Sequence, residues 1–288
     1  MKKKKLILLQ NFSQIINDYS SFLIDLWGVV HNGINIFPWA QNVIETVKEK
    51  NKEVIFITNA PRRVEVIKEQ LVDFGLQKFF YKDVMSSGEL TWLNIKKKLE
   101  NGKRNLKCFH IGPSRDNHLM KNLNLKLVKN VSEADFILNT GPWGDDDKLD
   151  NYVGILNEGV KFNLNMICSN PDKRVIRGNN FMICAGLLAE YYETIQGKVE
   201  YFGKPHKEIF EECLKKLEQK DRKKILIIGD SLENDIKGAN NMNIESLLIT
   251  SGVHRKVIIN NNIDIEKLND LIIENNVHPT YVLKELVL

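Results

Sequence analysis

Asp25 ends the apolar run "FLI" at residues 22–24, and Asp230 ends "KILIIG" some 200 residues further on. A carboxylate at the end of a strand can attack an electrophile, hold a hard cation, or simply shape a turn. Thr58 and Asn59 end the run "EVIFI" and offer a hydroxyl and an amide. Lys204 stands in "YFGKPHKEIF", at the entrance to a helix and the edge of a site, as a point charge. Asp235 follows Asp230 by about one helical turn. Each stretch alone reads equally well as a strand exit, a surface turn or a helix cap. As a set they suit phosphoryl chemistry. A carboxylate can attack phosphorus and split one hard step into two. It is repelled by a phosphate dianion, so cations must sit beside it. Lys204 is one. A Mg²⁺ ion is the other, taking hard oxygens from Asp25, Asp230 and a backbone carbonyl. Asp235 would hold a metal-bound water or orient its neighbours. Thr58 and Asn59 would donate to the phosphoryl oxygens, with backbone N–H groups near a helix start.

For these residues to meet, their strands must end on one edge. Residues 11–18 read as a short helix before the strand at residue 22. Residues 38–50 have helical spacing through Val43, Ile44 and Val47. Residues 53–57 are a second strand, and residues 63–74 a helix closed by Gly75. Strand, helix, strand in this order predicts a right-handed parallel crossover. The last third repeats the grammar: a strand ending on Gly229-Asp230, the helix "LENDIKGANNM", the strand "IESLLIT". One parallel sheet brings Asp25 and Asp230 to its carboxyl edge, where open α/β sheets bind ligands. Residues 83–196 carry a βα pattern of their own, with strands at 107–111, 135–139 and 165–169. Helices there are expected at 88–99, 149–158 and 182–195. A segment of this length with its own strands is a domain rather than a loop. The fold class is therefore α/β: a three-layer, Rossmann-like parallel-sheet core of residues 1–82 plus 197–288, with an inserted α/β cap domain of residues 83–196.

The stretches "DLWGV", "FITNAPR", "YFGKPHKEIF" and "IIGDSLENDIKGA", in this order, resemble the haloacid-dehalogenase-like phosphatase superfamily. Asn170-Pro171-Asp172, "YFGKPH" and the ending "PTYVLKEL" are similar to its class IIA members, sugar-phosphate and nitrophenyl-phosphate phosphatases with a large α/β cap. The resemblance spans nearly the whole chain. It implies Mg²⁺-dependent hydrolysis of a small phosphorylated metabolite through an aspartyl-phosphate on Asp25, with Lys204 as the second catalytic residue. It gives the metal's backbone carbonyl to Trp27, beside Asp25, Asp230 and Asp235. It places Asn170 and Asp172 at the cap edge as substrate-binding residues, with Thr58 and Asn59. His206 reads as a first-turn helix residue, and "PWGDDDKLD" as a solvated turn leading into a helix.

Trp27 departs from the family pattern. Most such phosphatases carry a second Asp there, which protonates the leaving oxygen and then activates water. Indole offers one N–H donor and no acid or base at neutral pH. Three readings follow. One is a phosphatase for good leaving groups, such as anhydrides, acyl or aryl phosphates. Another is a catalytically weak or inactive protein that binds a phosphometabolite in the same metal and phosphate cradle. The third is a hydrolase of another bond, such as carbon–halogen, which the retained Asp230 and its glycine argue against. His31, six residues past Asp25, is the nearest substitute proton donor; its plainer reading is a partly exposed loop histidine.

Bulk properties agree. The 288 residues are 43% hydrophobic, enough for one large or two medium domains. Net charge is +4, and much of the excess sits in the lysines at residues 2–5, a solvated tail rather than a nucleic-acid surface. Cys108, Cys168, Cys184 and Cys213 show no CxxC spacing and read as core thiols of a reducing, cytoplasmic compartment. The apolar run at residues 6–9 is too short for a signal peptide, and no stretch approaches the ~18 apolar residues of a membrane helix. The expected partner is a small metabolite, with no nucleic acid and no membrane, and with a homodimer through the cap as in related proteins.

Overall fold

The computed structural model describes residues 6–102, 105–177 and 180–288; the lysine run at residues 2–5 lies outside them. In chain order the elements are β1 (Ile7–Leu8), β2 (Ser21–Asp25), α1 (Pro38–Glu49), β3 (Glu53–Thr58), α2 (Val64–Asp73) and β4 (Asp83–Ser86). Then come α3 (Ser87–Glu100), β5 (Leu106–Ile111), β6 (Leu125–Val128), β7 (Phe136–Asn139), α4 (Val153–Lys161) and β8 (Asn165–Cys168). The hairpin β9 (Arg174–Arg177) and β10 (Asn180–Ile183) leads to α5 (Ala185–Thr194), β11 (Lys198–Tyr201) and α6 (Lys207–Lys216). The last elements are β12 (Ile225–Gly229), α7 (Lys237–Met242), β13 (Glu245–Ile249), β14 (Ile258–Ile259), β15 (Asn262–Ile263), α8 (Ile265–Glu274) and β16 (Tyr281–Leu283).

These elements fall into two units. The first holds the described residues up to Thr58, with Ile67–Met85 and Lys204–Leu288. Its seven-stranded sheet has the order β1-β16-β13-β12-β2-β3-β4, with parallel ladders from β1 through β3. The central strands are buried on both faces, with Phe22, Leu23, Ile24, Ile55, Phe56, Ile57, Leu226, Ile227 and Ile228 fully enclosed. That is why they read as unbroken apolar runs rather than alternating ones. Helix α1 starts on Pro38, whose fixed φ suits a first turn, and buries Ala40, Val43, Ile44 and Val47 along one stripe. Ile228 pairs with Ile24, and Asp25 with Ile57. The strand ends carrying Asp25, Asp230 and Thr58 are therefore neighbours on the carboxyl edge.

The second unit holds Ser86–Gly203 together with the short stretch Asn59–Val66. Its five strands are all parallel, in the order β11-β8-β7-β5-β6. Tyr152, Leu156, Leu188 and Tyr192 from α4, α5 and the turn before α4 close the core over Ile111, Ile137 and Met166. Burying each such side chain contributes about 1.5–3 kcal/mol. Helix α3 begins where the Ser86 hydroxyl accepts from the Glu89 N–H at 3.0 Å. The expected helix at 182–195 is shorter: Met182 and Ile183 belong to β10, and the helix starts at Ala185. The helix expected at 11–18 is a single 3₁₀ turn, Phe12–Gln14. All four cysteines are free thiols and buried. Among the described residues no helix is long and apolar enough to cross a membrane.

Candidate active site

The first unit gathers four ionisable side chains at the carboxyl edge of its sheet. Asp25 is the last residue of β2, and Asp230 follows β12 directly. Asp235 lies in a π-helical turn, Leu232–Ile236. The Ser231 carbonyl accepts from both Asp235 N–H (3.0 Å) and Ile236 N–H (3.1 Å), so one extra residue fits in the turn. Such π-turns recur at functional sites, and this one faces Asp235 toward Asp25. The ligand oxygens of Asp25, Asp230 and Asp235 all lie within 4.8 Å of one another. Lys204 Nζ donates to Asp25 Oδ1 at 2.6 Å and to Asp235 Oδ1 at 2.7 Å. Lys204 is 3% exposed and Asp25 5%, so the lysine is a core residue and not one at the site's edge.

Backbone holds these acids in place. Asp230 Oδ2 accepts from the Val253 N–H at 2.9 Å, and Asp235 Oδ2 from the Ser231 N–H at 3.1 Å. Gly28, with φ +82°, comes so close to the Asp230 carboxylate that any Cβ there would overlap it. His254 Nε2 accepts from the Leu232 N–H at 3.1 Å, and burial lowers the imidazole pKa, which keeps it a neutral acceptor beneath the π-turn. None of Val253, Gly28 or His254 was legible as a site residue. Burial, and after it the negative charges of Asp25 and Asp235, hold the Asp230 carboxyl well above the ordinary carboxylate range. Three buried carboxylates against one ammonium form a set short of positive charge. Its donors are all hard oxygens in a small volume, which is what a divalent cation of the Mg²⁺ type requires.

Trp27 lies on the loop after β2. Its indole covers Gly33, which has φ +84° and no room for a Cβ, and meets His31 edge to face at 5.5 Å. His31 is 4% exposed, which corrects the expectation of a partly exposed loop histidine. Its ring also meets Phe74 at 5.3 Å, and its Nδ1 accepts from the Gly33 N–H at 3.0 Å. A nitrogen that accepts a backbone N–H carries a lone pair and not the proton. His31 is thus a packing and loop-shaping residue on this side of its ring. Thr58, the last residue of β3, is buried beside the strand that carries Asp25. His206 is the residue immediately before α6, and its side chain makes no capping hydrogen bond to the helix.

The second unit gathers the other expected residues. Asn59 Nδ2 donates to Asp172 Oδ1 at 2.8 Å, and Asn170 Oδ1 accepts from the Asp172 N–H at 3.1 Å. Asn59, Asn170 and Asp172 thus form one cluster, while Asp25, Lys204, Asp230 and Asp235 form the other.

Comparison with known proteins settles the family. Residues 22–126 and 147–243 match family models described as haloacid dehalogenase-like hydrolase, and residues 201–287 match a third of the same kind. A crystal structure of a haloacid dehalogenase-like family hydrolase from Brucella suis 1330 is 31% identical, covers 97% of this chain and 100% of its own, and superposes with a TM-score of 0.83. The chain belongs to the haloacid dehalogenase-like hydrolase family. The acid sugar phosphatase of Staphylococcus aureus (strain MRSA252) is 22% identical over 274 residues, covering 94% of this chain and 96% of the relative. The p-nitrophenyl phosphatase of Archaeoglobus fulgidus is 22% identical with a TM-score of 0.70, over 93% of this chain and 97% of that one. Both relatives carry the word phosphatase in their names and match this hydrolase over nearly its whole length, with the fold its motifs resemble.

Proposed function

We propose that this hydrolase is a Mg²⁺-dependent phosphatase of a small phosphorylated metabolite, with Asp25 as nucleophile. The observation that carries the reading is the buried constellation of Lys204 on Asp25 and Asp235, with Asp230 in the same 4.8 Å group. Asp25, Asp230, Asp235 and the Trp27 carbonyl are the groups assigned to the cation, whose role when bound is to neutralise phosphoryl oxygens and orient the substrate. The remaining steps belong to the chain. Asp25 attacks phosphorus, its oxygen forms the new P–O bond, and the bond to the leaving oxygen breaks. Water then attacks the aspartyl-phosphate, releasing inorganic phosphate and regenerating the carboxylate. Lys204 holds Asp25 in one rotamer and offsets its repulsion with the phosphate. Thr58 and Asn59 are assigned to the phosphoryl oxygens.

The leaving oxygen needs a proton unless it is already a good leaving group. Trp27 cannot supply one, and His31 presents Nδ1 to Gly33. Anhydrides, acyl phosphates and aryl phosphates are accordingly the favoured substrates. We assign the second unit to the cap, which favours small molecules over macromolecules. A cytoplasmic location, supported by the four buried thiols, and a homodimer belong to the same proposal. The test is a hydrolysis screen of phosphorylated metabolites with and without Mg²⁺. Turnover that requires Mg²⁺ supports the reading. Mg²⁺-dependent binding with no turnover on any leaving group replaces it by a phosphometabolite-binding protein.

A further inference from the structure

The Asn-Pro-Asp turn was expected to touch substrate. Its acid accepts from the Asn59 amide. We propose that Asp172 is a positioning residue, whose carboxylate fixes which end of the Asn59 amide is presented to a phosphoryl oxygen. The inference rests on the phosphatase reading above. An asparagine amide has a donating NH₂ end and an accepting carbonyl end, of nearly equal shape. Only the NH₂ end is attractive to an anion. A flipped amide would turn its oxygen on the phosphate and repel it. A carboxylate can only accept, so the 2.8 Å contact from Asn59 Nδ2 to Asp172 Oδ1 holds the amide in one sense. The geometry of an NH₂ group then sets the direction of its second hydrogen.

Asp172 is itself braced. Its N–H donates to Asn170 Oδ1 at 3.1 Å, closing an Asx turn, and its carbonyl accepts from the Gly186 N–H at 3.0 Å. On the other side of the amide lies Gly203. A Cβ there would stand 2.6 Å from Asn59 Oδ1 and 2.8 Å from Pro171 Cδ, so only bare backbone fits against the amide oxygen. Carboxylate on one end and glycine on the other hold a side chain that is 3% exposed.

The experiment compares wild type, Asp172→Asn, Asn59→Ala and the double variant. It reads three quantities: affinity for inorganic phosphate by calorimetry with Mg²⁺, kcat and KM on p-nitrophenyl phosphate, and thermal midpoint. Asp172→Asn keeps the shape but can donate as well as accept, so it removes the bias. We expect phosphate affinity and kcat/KM to fall by roughly tenfold, in the range outer-shell partners show, at an unchanged midpoint. The double variant should be no worse than Asn59→Ala alone, because Asp172 acts only through Asn59. Unchanged phosphate affinity in Asp172→Asn, or losses that multiply in the double variant, would overturn the inference. Calorimetry separates the two readings. If wild type binds phosphate, and Asp172→Asn binds it less tightly, while neither turns over, the positioning role stands and the phosphatase assignment fails.

Discussion

Lys204→Met removes the ammonium while keeping much of the side chain's length and apolar stem. In the wild type Nζ lies 2.6 Å from Asp25 Oδ1 and 2.7 Å from Asp235 Oδ1, with the three side chains 3%, 7% and 1% exposed. At an effective dielectric constant of about 20, each contact is worth about 6 kcal/mol of Coulomb energy. Desolvation of the charges offsets most of that. What remains on deleting one partner of a buried pair is a loss of about 3–5 kcal/mol. The variant should therefore unfold at clearly lower denaturant in a chelator, with ΔG reduced by about that amount. Mg²⁺ should restore part of the loss, since a ligand of the folded state at 100 times its Kd contributes about 2.7 kcal/mol. Turnover should not return with the fold. Losing a preorganised charge beside the reacting group costs on the order of 10²–10³-fold in kcat. Two assays decide: urea unfolding with chelator or Mg²⁺, and phosphate release under the same conditions. Stability within 0.5 kcal/mol (about the scatter of surface substitutions) would refute the buried-pair argument. Wild-type turnover in the Mg²⁺-restored variant would remove Lys204 from the mechanism.

Binding of Mg²⁺ should release protons, increasingly so as pH falls toward the ordinary carboxylate range, because burial and neighbouring acids raise the Asp230 pKa and a bound cation favours its charged form. Calorimetry in buffers of different ionisation enthalpy reads this directly, and heats that do not vary with buffer would contradict it. The rate on phosphate esters should depend steeply on leaving-group pKa, aryl over alkyl, and Trp27→Asp should raise alkyl turnover by up to ~10²–10⁴-fold where the new carboxylate reaches the leaving oxygen. Equal wild-type rates on both would mean that another residue supplies the proton, and His31→Ala would then be the variant to measure. In the second unit, burial lowers the His110 pKa to about 4, beside Thr140 Oγ1 at 3.0 Å. A base with a depressed folded pKa stabilises the fold above its unfolded value of about 6.5 and loses that contribution as pH falls toward 4, at most about 3 kcal/mol. His110→Gln should flatten the acid limb of stability against pH between those values; coincident curves would refute the assignment.

The strands that carry chemistry were legible because central parallel strands must be apolar on both faces. "FLI", "VIFI" and "ILII" have no other easy reading. Most of the strands that escaped are at sheet edges or in hairpins; β16, three residues long, lies between β1 and β13. β11, "KVEY", and β6, "LKLV", border the second sheet, where few apolar residues are needed. The run "FMICAGLLA" is apolar throughout, so its periodicity cannot show where β10 stops and α5 begins. The site residues were legible by type and position, but their mutual contacts were not. Lys204 meets acids 179 and 31 residues away, and only the folded chain shows that it is enclosed by them. The π-turn at Leu232–Ile236 has the composition of an ordinary helix; its extra residue is a matter of backbone bonding at Ser231. Asp172 offered a carboxylate to any partner, and nothing local named Asn59 as the one.

The packing of Trp27 on Gly33 makes a statement about descent. The indole fills the volume that a Cβ at 33 would need, so position 33 cannot drift while Trp27 stays. A lineage that restores an acid at 27 vacates the space over 33, and there a residue such as Asn, tolerant of positive φ, becomes admissible. A lineage that keeps Trp27 must keep glycine at 33. Aligned relatives should therefore depart from glycine at 33 only where 27 is no longer Trp, so that the departure marks members with a proton donor.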